Sequence, residues 1–491
     1  MNLKKIANCD KRGAVYLGDR EVFRAIPKDH VESVTEVVNK LNNKIDGIVK
    51  TTISHDKEIN SELNNRDGIT LLHHRVSPIS YPHEWCGLML KDSSLFHIEL
   101  SISLYENNLY LKDAHPWNIL FEKGRPVFVD FTSIVNESDL LNEEFLTANN
   151  KMNKKDPNKQ VLKCVNEIHH RMFKPYFFNT LIAYVTQDHL NVRKYIENTT
   201  LNSSTHTLDI RHLIPRRLGK SIFKKVFRLA KYYISEFIIN RKLKLKKNYP
   251  EFLNKMKKLI LSMPIETGSS AYSSYYSSKG EDQDCTYSNE WNHKQKSVYN
   301  AINKDSINSV LDVACNTGWY AMMAEKINKS VIAFDIDEGS IEVLYKIIKD
   351  RNLNILPLVM NFTEMTKNRF SINDGNTVIL SAESRFKSDS VIALGIIHHL
   401  VLGLGMSLKE VIQSLDSLCQ KQLVIEFVEL EDPMIQNEPS FFKAFFKDES
   451  ISNNYKMEEL VSLLESFGYS VIIEKSYPST RKILVCEKAG T

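Results

Sequence analysis

The chain is poor in the features that mark specialised protein classes. Only seven cysteines occur in 491 residues, at positions 9, 86, 164, 285, 315, 419 and 486. They are scattered and odd in number, with no CxxC pair and no Cys/His cluster, so neither a zinc site nor a disulfide framework is indicated. Reduced thiols in a cytosol are the simplest reading. Glycine (17) and proline (14) are sparse, which excludes collagen-like and low-complexity chains. No charge-free window reaches the roughly 18 apolar residues of a transmembrane helix. The nearest stretch, 391–406, contains His398 and His399. The first residues, MNLKKIANCDKRG, hold no apolar core of signal-peptide length. A soluble cytoplasmic protein without a transmembrane segment is therefore expected.

A dominant charge is lacking too. Lys plus Arg is 64 and Asp plus Glu is 60, a formal net of +4, which makes no case for nucleic acid as a partner. The balance is uneven along the chain. Between Arg211 and Lys258 stand 16 Lys/Arg and two Glu, a local net of +14, leaving 48 basic and 58 acidic residues elsewhere. Within that segment Ile222, Val226, Leu229, Tyr233 and Phe237 recur at helical spacing, which gives one apolar and one basic face. Two readings stand for residues 211–258: a solvated helical connector, or a surface for an anionic partner such as anionic lipid or an acidic glycan.

What is present is an ordinary globular composition, 42% hydrophobic and 25% charged, long enough for two to four domains. Texture divides the chain at about 150 and about 260. Residues 1–150 mix short β-like runs with turns, 151–260 form a basic helical connector, and 261–491 alternate strand-like and helix-like segments. In the last region strands are expected at 309–314, 331–335, 355–359, 391–397 and 422–428, with a closing pair at 469–474 and 482–487. Helices are expected at 319–327, 340–348, 408–418 and 457–467. Such alternation with continuous apolar strands implies an α/β fold, a mostly parallel sheet covered on both faces. Ligands bind such sheets beyond the carboxyl ends of the strands.

The first of these strands runs into Asp312-Val-Ala-Cys-Asn-Thr-Gly318. A tight strand-to-helix turn needs small residues where backbone and ligand approach closely. About twenty residues on, the second strand ends in Asp335, an acceptor suited to ribose hydroxyls. This outlines an adenosine-nucleoside site. The absence of a strict GxGxxG argues against a dehydrogenase.

VLDVACNTGWYAMMA (310–324), VIAFDID (331–337) and DSVIALGIIHHL (389–400) together resemble the first, second and fourth strand motifs of class I S-adenosylmethionine-dependent methyltransferases. In that family an acidic residue precedes three alternating glycines. Here Asp312 and Gly318 are kept, while Ala314 and Asn316 fill the other two places. The resemblance implies a Rossmann-like domain with a mostly parallel seven-stranded sheet and S-adenosyl-L-methionine as cofactor. It implies that Asp312 and the loop Ala314, Cys315, Asn316 to Gly318 cradle the methionine portion. It gives Asp335 the ribose and Ile336 the adenine face, with Asn361 and Phe362 at the adenine edge.

Methyl transfer asks mainly for proximity and orientation, with a general base where the acceptor is a hydroxyl or a protonated amine. Candidates near the ends of strands four and five are His398, His399, Glu426 and Glu429. Glu429 is preferred to Glu426 because it lies nearer the strand end. For each histidine, structural anchoring and catalysis both stand open. The run 268–276, rich in Ser and Tyr, reads either as a flexible connector or as a lid.

Residues 109–133 read LYLKDAHPWNILFEKGRPVFVDFTS. Asp113, Asn118 and Asp130 follow nearly the spacing at which kinases place a catalytic base and two magnesium ligands, with Gly124-Arg-Pro as a hairpin turn. The segment resembles a kinase catalytic loop and its metal-binding strand. Departures accompany it: Phe131-Thr132 in place of Phe-Gly, Leu111-Lys112 before Asp113, and Arg24 where a nucleotide-binding lysine would stand. An N-terminal α+β kinase-like module, degenerate rather than active, is the expectation. If it were active, Asn118 and Asp130 would hold the metal of Mg-ATP, with Asp113 as base.

Together with SYPHEW (80–85), this run and the methyltransferase motifs resemble a bacterial group of methyltransferase-like proteins that includes a nodulation-associated protein. The resemblance implies a methyltransferase acting on a small-molecule or glycan acceptor. A bifunctional kinase-methyltransferase and a non-catalytic adenosine-binding scaffold remain the alternatives.

Overall fold

A computed structural model of the chain describes residues 3–6, 12–18, 21–41, 44–54, 56–63, 67–142, 157–185, 192–193, 196, 220–246, 248–265, 285–370, 377–437 and 454–490. The chain forms two compact units, residues 1–267 with 369–379, and residues 268–368 with 380–491. The run 268–276 lies outside the described residues.

The first unit opens with strands β1 (Lys4–Lys5), β2 (Ala14–Leu17) and β3 (Glu21–Ile26), then α1 (Val31–Leu41), β4 (Thr51–Ser54), α2 (Lys57–Glu62) and β5 (Ile69–His74). The strands make an antiparallel sheet in the order β1-β2-β3-β5-β4. Helix α3 (Gly87–Glu106) buries Met89, Leu90, His97, Ile98, Leu100 and Leu104. Short pairs follow: β6 (Leu109–Leu111), β7 (Ile119–Glu122), β8 (Arg125–Phe128) and β9 (Ile134–Asn136), with β7 against β8 and β6 against β9. The β7–β8 turn is Lys123-Gly124, not Gly124-Arg-Pro. Both turn residues have positive φ, 49° and 70°, the conformation that a two-residue type I′ hairpin requires. Arg125 and Pro126 already belong to β8.

Helices α4 (Glu137–Asn142), α5 (Pro157–Ile168), α6 (Asn179–Val185), α7 (Lys220–Lys246) and α8 (Tyr249–Leu261) complete this unit, with a π-helical stretch at His169–Phe178. The helical stretch read as a connector packs within the unit. Helix α8 lies against α3, burying Phe252, Leu253, Met256 and Ile260, and Lys91 Nζ donates to the carbonyls of Leu261 and Met263 at 3.0 and 2.8 Å. The single apolar face expected on α7 is split. Leu229 is buried and Tyr233 half-buried, while Phe237 is exposed. The side chains of Ile222 and Val226 lie outside those described. Apolar residues occur on two sides of this helix, so a helical template drew members from both.

In the second unit α9 (His293–Ile302) starts at a reciprocal cap, Asn292 with Gln295. Then come β10 (Ser309–Val313), α10 (Trp319–Lys326), β11 (Ser330–Asp335), α11 (Glu338–Arg351) and β12 (Ile355–Val359). A short pair, β13 (Arg369–Phe370) and β14 (Thr377–Ile379), belongs with the first unit. Next are α12 (Ala382–Arg385), β15 (Ser388–Ala393), α13 (Leu408–Leu418), β16 (Cys419–Val428), α14 (Pro433–Asn437), α15 (Met457–Ser466), β17 (Tyr469–Lys475) and β18 (Arg481–Lys488). Five strands lie in parallel register, and the last two pair antiparallel to their neighbours. The order is β12-β11-β10-β15-β16-β18-β17. Strands β12 and β15 are buried throughout and β10 at every residue after Ser309, as a sheet covered on both faces demands.

The fourth strand is shorter at its end than the apolar run suggests. It stops at Ala393, because Gly395 turns left-handed at φ 66°, and a π-helical turn follows at His399–Gly403. Connections leave β10 toward β11 on one side and β15 lies on the other, so the order reverses between these two strands. Such a switch point opens a crevice at the strands' carboxyl ends.

Gly318 opens α10 at φ 78°, and a Cβ there would stand 2.5 Å from Leu344 Cδ1. Gly318→Ala is expected to lower unfolding free energy by about 1–3 kcal/mol through crowding and left-handed strain. Urea denaturation checks this, and an unchanged midpoint contradicts it.

Candidate active site

The loop after β10 has an unusual backbone. Ala314, Asn316 and Gly318 all take left-handed φ, at 56°, 53° and 78°. Alternate residues therefore hold the conformation that glycine adopts most easily, although two of the three are not glycine. Asparagine tolerates this region, and alanine adopts it at about 1–2 kcal/mol.

Hydrogen bonds hold the loop in place. Cys315 N donates to Phe334 O at 3.1 Å and Gly318 N to Cys315 O at 2.9 Å. Asn316 Oδ1 accepts from Thr317 N at 2.6 Å. Asp335 accepts from Asn316 N and from Asp337 N, both at 2.8 Å. Asp335 thus braces the loop as well as closing β11. Burial raises its carboxyl above the usual range, and the two backbone donors offset part of that.

Asp312 is buried, and its Oδ2 has no hydrogen-bond partner among the described residues. Burial pushes its carboxyl up to about 8, with the Asp335 charge adding to the effect. A buried acceptor without a donor is costly, and a cationic group placed against it would relieve that cost. Ile336, directly after Asp335, is 67% exposed. An apolar side chain left in water at the strand end suits the flat face of a base. Asn361 is half-buried, and its Oδ1 accepts from Thr363 N and Oγ1 at 3.1 and 3.0 Å. Phe362 is buried. Burial also raises the Cys315 thiol well above its ordinary value, so it stands in the loop as a neutral group.

Of the candidate bases, His398 is fully buried and His399 half-buried, with ring centroids 4.2 Å apart. Burial lowers both below the ordinary imidazole value, so both are neutral near pH 7. Glu429 lies past the end of β16, with Oε1 4.0 Å from Lys482 Nζ.

Glu426, ranked below Glu429 on strand position, has a partner at this end of the sheet, Lys294, that escaped sequence reasoning. Glu426 is fully buried, and its Oε2 pairs with Lys294 Nζ at 2.8 Å. Ser476 donates to its Oε1 at 3.1 Å. A Cβ on Gly395 would lie 3.6 Å from Glu426 Oε2, and Lys294 Nζ stands 5.7 Å from the Tyr320 ring centroid. The cation thus stands between α10 and β16. Lys294 and Glu426 are 132 residues apart, so no local pattern announces the pair.

In the first unit Asp113 and Asp130 come together through the Ser133 hydroxyl, 3.0 Å from Asp113 Oδ2 and bonded to Asp130. Asn118 is buried, its backbone carbonyl accepting from Val129 N at 2.9 Å. Arg24 Nη2 pairs with Asp130 Oδ1 at 2.8 Å, and Arg24 Nη1 also bonds Thr132. Burial pushes the Asp130 carboxyl up, but the Arg24 guanidinium and the Ser133 hydroxyl outweigh it and hold the group below its ordinary value.

No family model matches the chain. The chain is similar to Nodulation protein NoeA of Rhizobium meliloti (strain 1021), at 23% identity over 435 residues, covering 84% of this chain and 80% of that one. The match is longer than either unit, and the resemblance to the nodulation-protein group read from the motifs is met. Among solved structures it is similar to magnesium protoporphyrin IX methyltransferase (ChlM) from Synechocystis PCC 6803 with bound SAH. There the identity is 14%, the TM-score 0.27 and the coverage 44% of this chain and 97% of that one. Another is the bifunctional kinase-methyltransferase WbdD, at 15% identity and TM-score 0.30, covering 43% of this chain and 42% of that one. The chain thus spans less than half the length of WbdD.

The state of Asp312 has a pH signature. Its folded-state value lies above the ordinary 3.8, at about 8. Across that window the folded protein binds more protons than the unfolded chain, so stability from this group is present at the acid end and is lost as pH rises. Asp312→Asn is expected to flatten the fall in stability between about pH 5 and about pH 8. Urea titrations at the two pH values check it, and an unaltered slope contradicts it.

Proposed function

We propose that the second unit is an S-adenosylmethionine-dependent methyltransferase domain. The observation that carries this reading is the loop 314–318, left-handed at three alternate positions and braced by Asp335 at the sheet's switch point. The motif resemblance supports it.

The residues present fit the cofactor. Asp312 Oδ2, buried and without a partner, would take the methionine ammonium. The loop Ala314, Cys315, Asn316 to Gly318 leaves room for the methionine portion. Asp335 retains lone pairs beyond its two backbone contacts and would accept from ribose hydroxyls. Ile336 would cover the adenine face, flanked by Asn361 and Phe362. With the Asn361 carbonyl already accepting from Thr363, its side-chain amide is the group left to meet the base. When bound, S-adenosylmethionine supplies a methyl group already activated by its sulfonium. The protein's task is then to align the acceptor and accept its proton.

His399 and Glu429 are the groups suited to proton transfer. His399 is partly exposed and neutral near pH 7, the form that can accept a proton. His398, fully buried behind it, positions His399 by ring contact. The acceptor is a small molecule or a glycan.

The first unit reads as a kinase-like module without phosphotransfer. A divalent cation between Asn118 and Asp130 would meet the Arg24 guanidinium already neutralising Asp130. That residue set fits an internal ion pair and does not fit a metal. A thermal-shift titration with Mg-ATP is expected to leave the melting temperature unchanged. A saturable rise that Asp130→Ala removes would restore the bifunctional reading.

Calorimetry with S-adenosylmethionine tests the main assignment. Asp335→Ala is expected to weaken binding by about 1–3 kcal/mol, the loss for a buried acceptor taken from its partners. Incubation with methyl-labelled cofactor and fractionated extract should place label in a small-molecule or glycan fraction. Tight binding with no label in any fraction would leave the scaffold reading. No binding at all would overturn the site.

A further inference from the structure

Helix α7 (Lys220–Lys246) has two faces with different fates. One is fixed to its own unit. Leu229, Tyr232, Glu236 and Asn240 are buried. Tyr232 donates to Ser262 O at 3.1 Å, and Glu236 pairs with Lys174 Nζ at 2.8 Å and lies 3.4 Å from His169 Nε2. Asn240 Nδ2 lies 2.8 Å from His170 Nε2. These contacts hold the helix in one rotation about its axis.

The opposite face is apolar and uncovered by any described residue. Phe227 is 74% exposed, Ile234 58%, Phe237 62% and Ile238 46%. Lys231 and Arg241 are exposed among them. At 100° per residue these six positions fall within about 120° of arc and about 21 Å of length. Singly exposed apolar residues are unremarkable, but a rimmed, contiguous row of them marks an interaction surface.

Charge identifies what the row meets. The helix sequence carries nine Lys/Arg, at 220, 224, 225, 228, 231, 241, 242, 244 and 246, against the single acid Glu236. Glu236 faces inward and is already paired with Lys174. A second copy of this chain would set Lys231 and Arg241 against their own counterparts and be repelled. Aliphatic Ile234 and Ile238 offer no stacking surface to nucleic-acid bases. An apolar row set among cations matches the boundary of an anionic bilayer, where the row enters the acyl region and the cations meet headgroup phosphates. No helix among the described residues is long and apolar enough to cross a membrane, so this helix would lie in the plane of the interface.

We propose that α7 docks the protein on anionic lipid membranes through Phe227, Ile234, Phe237 and Ile238. This does not depend on the methyltransferase reading, since it concerns a different unit and a different readout.

Flotation of the full chain tests it, using phosphatidylcholine vesicles with and without phosphatidylglycerol. The protein is expected to float with the anionic vesicles and not with the neutral ones, and to be released as salt rises. Phe227→Ser with Phe237→Ser should reduce binding about tenfold or more at an unchanged melting temperature, because both rings are exposed. Lys231→Glu with Arg241→Glu should reduce it as well. Failure of the wild type to float with anionic vesicles overturns the proposal, as does equal binding by the Phe227/Phe237 variant. A dimer that dissociates in that variant, or retention on nucleic acid in place of vesicles, also overturns it and assigns the face to that partner.

Discussion

The carboxylate of Asp335 ties the end of β11 to the loop that leaves β10. Its two oxygens accept from Asn316 N and Asp337 N, and both contacts are made inside a buried environment that disfavours the charge. The loop it holds takes left-handed φ at 314, 316 and 318, a conformation that L-residues do not adopt without support. The brace, the loop and the start of α10 therefore form one unit. The partnerless Asp312 oxygen, the exposed Ile336 and the mouth of the switch point are arranged around it.

That dependence explains how a loop can depart from alternating glycine and keep its shape. The backbone conformation is imposed by hydrogen bonds at both ends, Cys315 N to Phe334 O and Gly318 N to Cys315 O. Asn316 contributes its own side chain to Thr317 N. Ala314 carries the strain with no such local compensation. Only Gly318 has no substitute, because Leu344 fills the space a Cβ would need.

The second unit was readable in the sequence because buried parallel strands are continuous apolar runs and amphipathic helices repeat every third or fourth residue. Helix 408–418 and strand 355–359 are found where the pattern puts them. The end of the fourth strand was not, since only the φ of Gly395 cuts the apolar run Val391–Ile397. Lys294 and Glu426 were illegible as a pair because their contact is tertiary. Glu426 ranked below Glu429 on strand-end position, yet it is Glu426 that the fold buries against a cation. The Asp113, Asn118 and Asp130 spacing was legible, whereas the engagement of Asp130 by Arg24 depends on how β3 lies in its sheet. On α7 the basic character was plain, but apolar residues on both sides hid which of them face outward.

The central claim is that the loop 314–318 and Asp335 hold an adenosine cofactor with its amino-acid end on Asp312. A crystal structure of the protein with S-adenosylhomocysteine tests it most directly. The ribose hydroxyls are expected on Asp335, the ammonium on Asp312 and the base against Ile336. Ligand bound elsewhere, or a ribose turned away from Asp335, would contradict it.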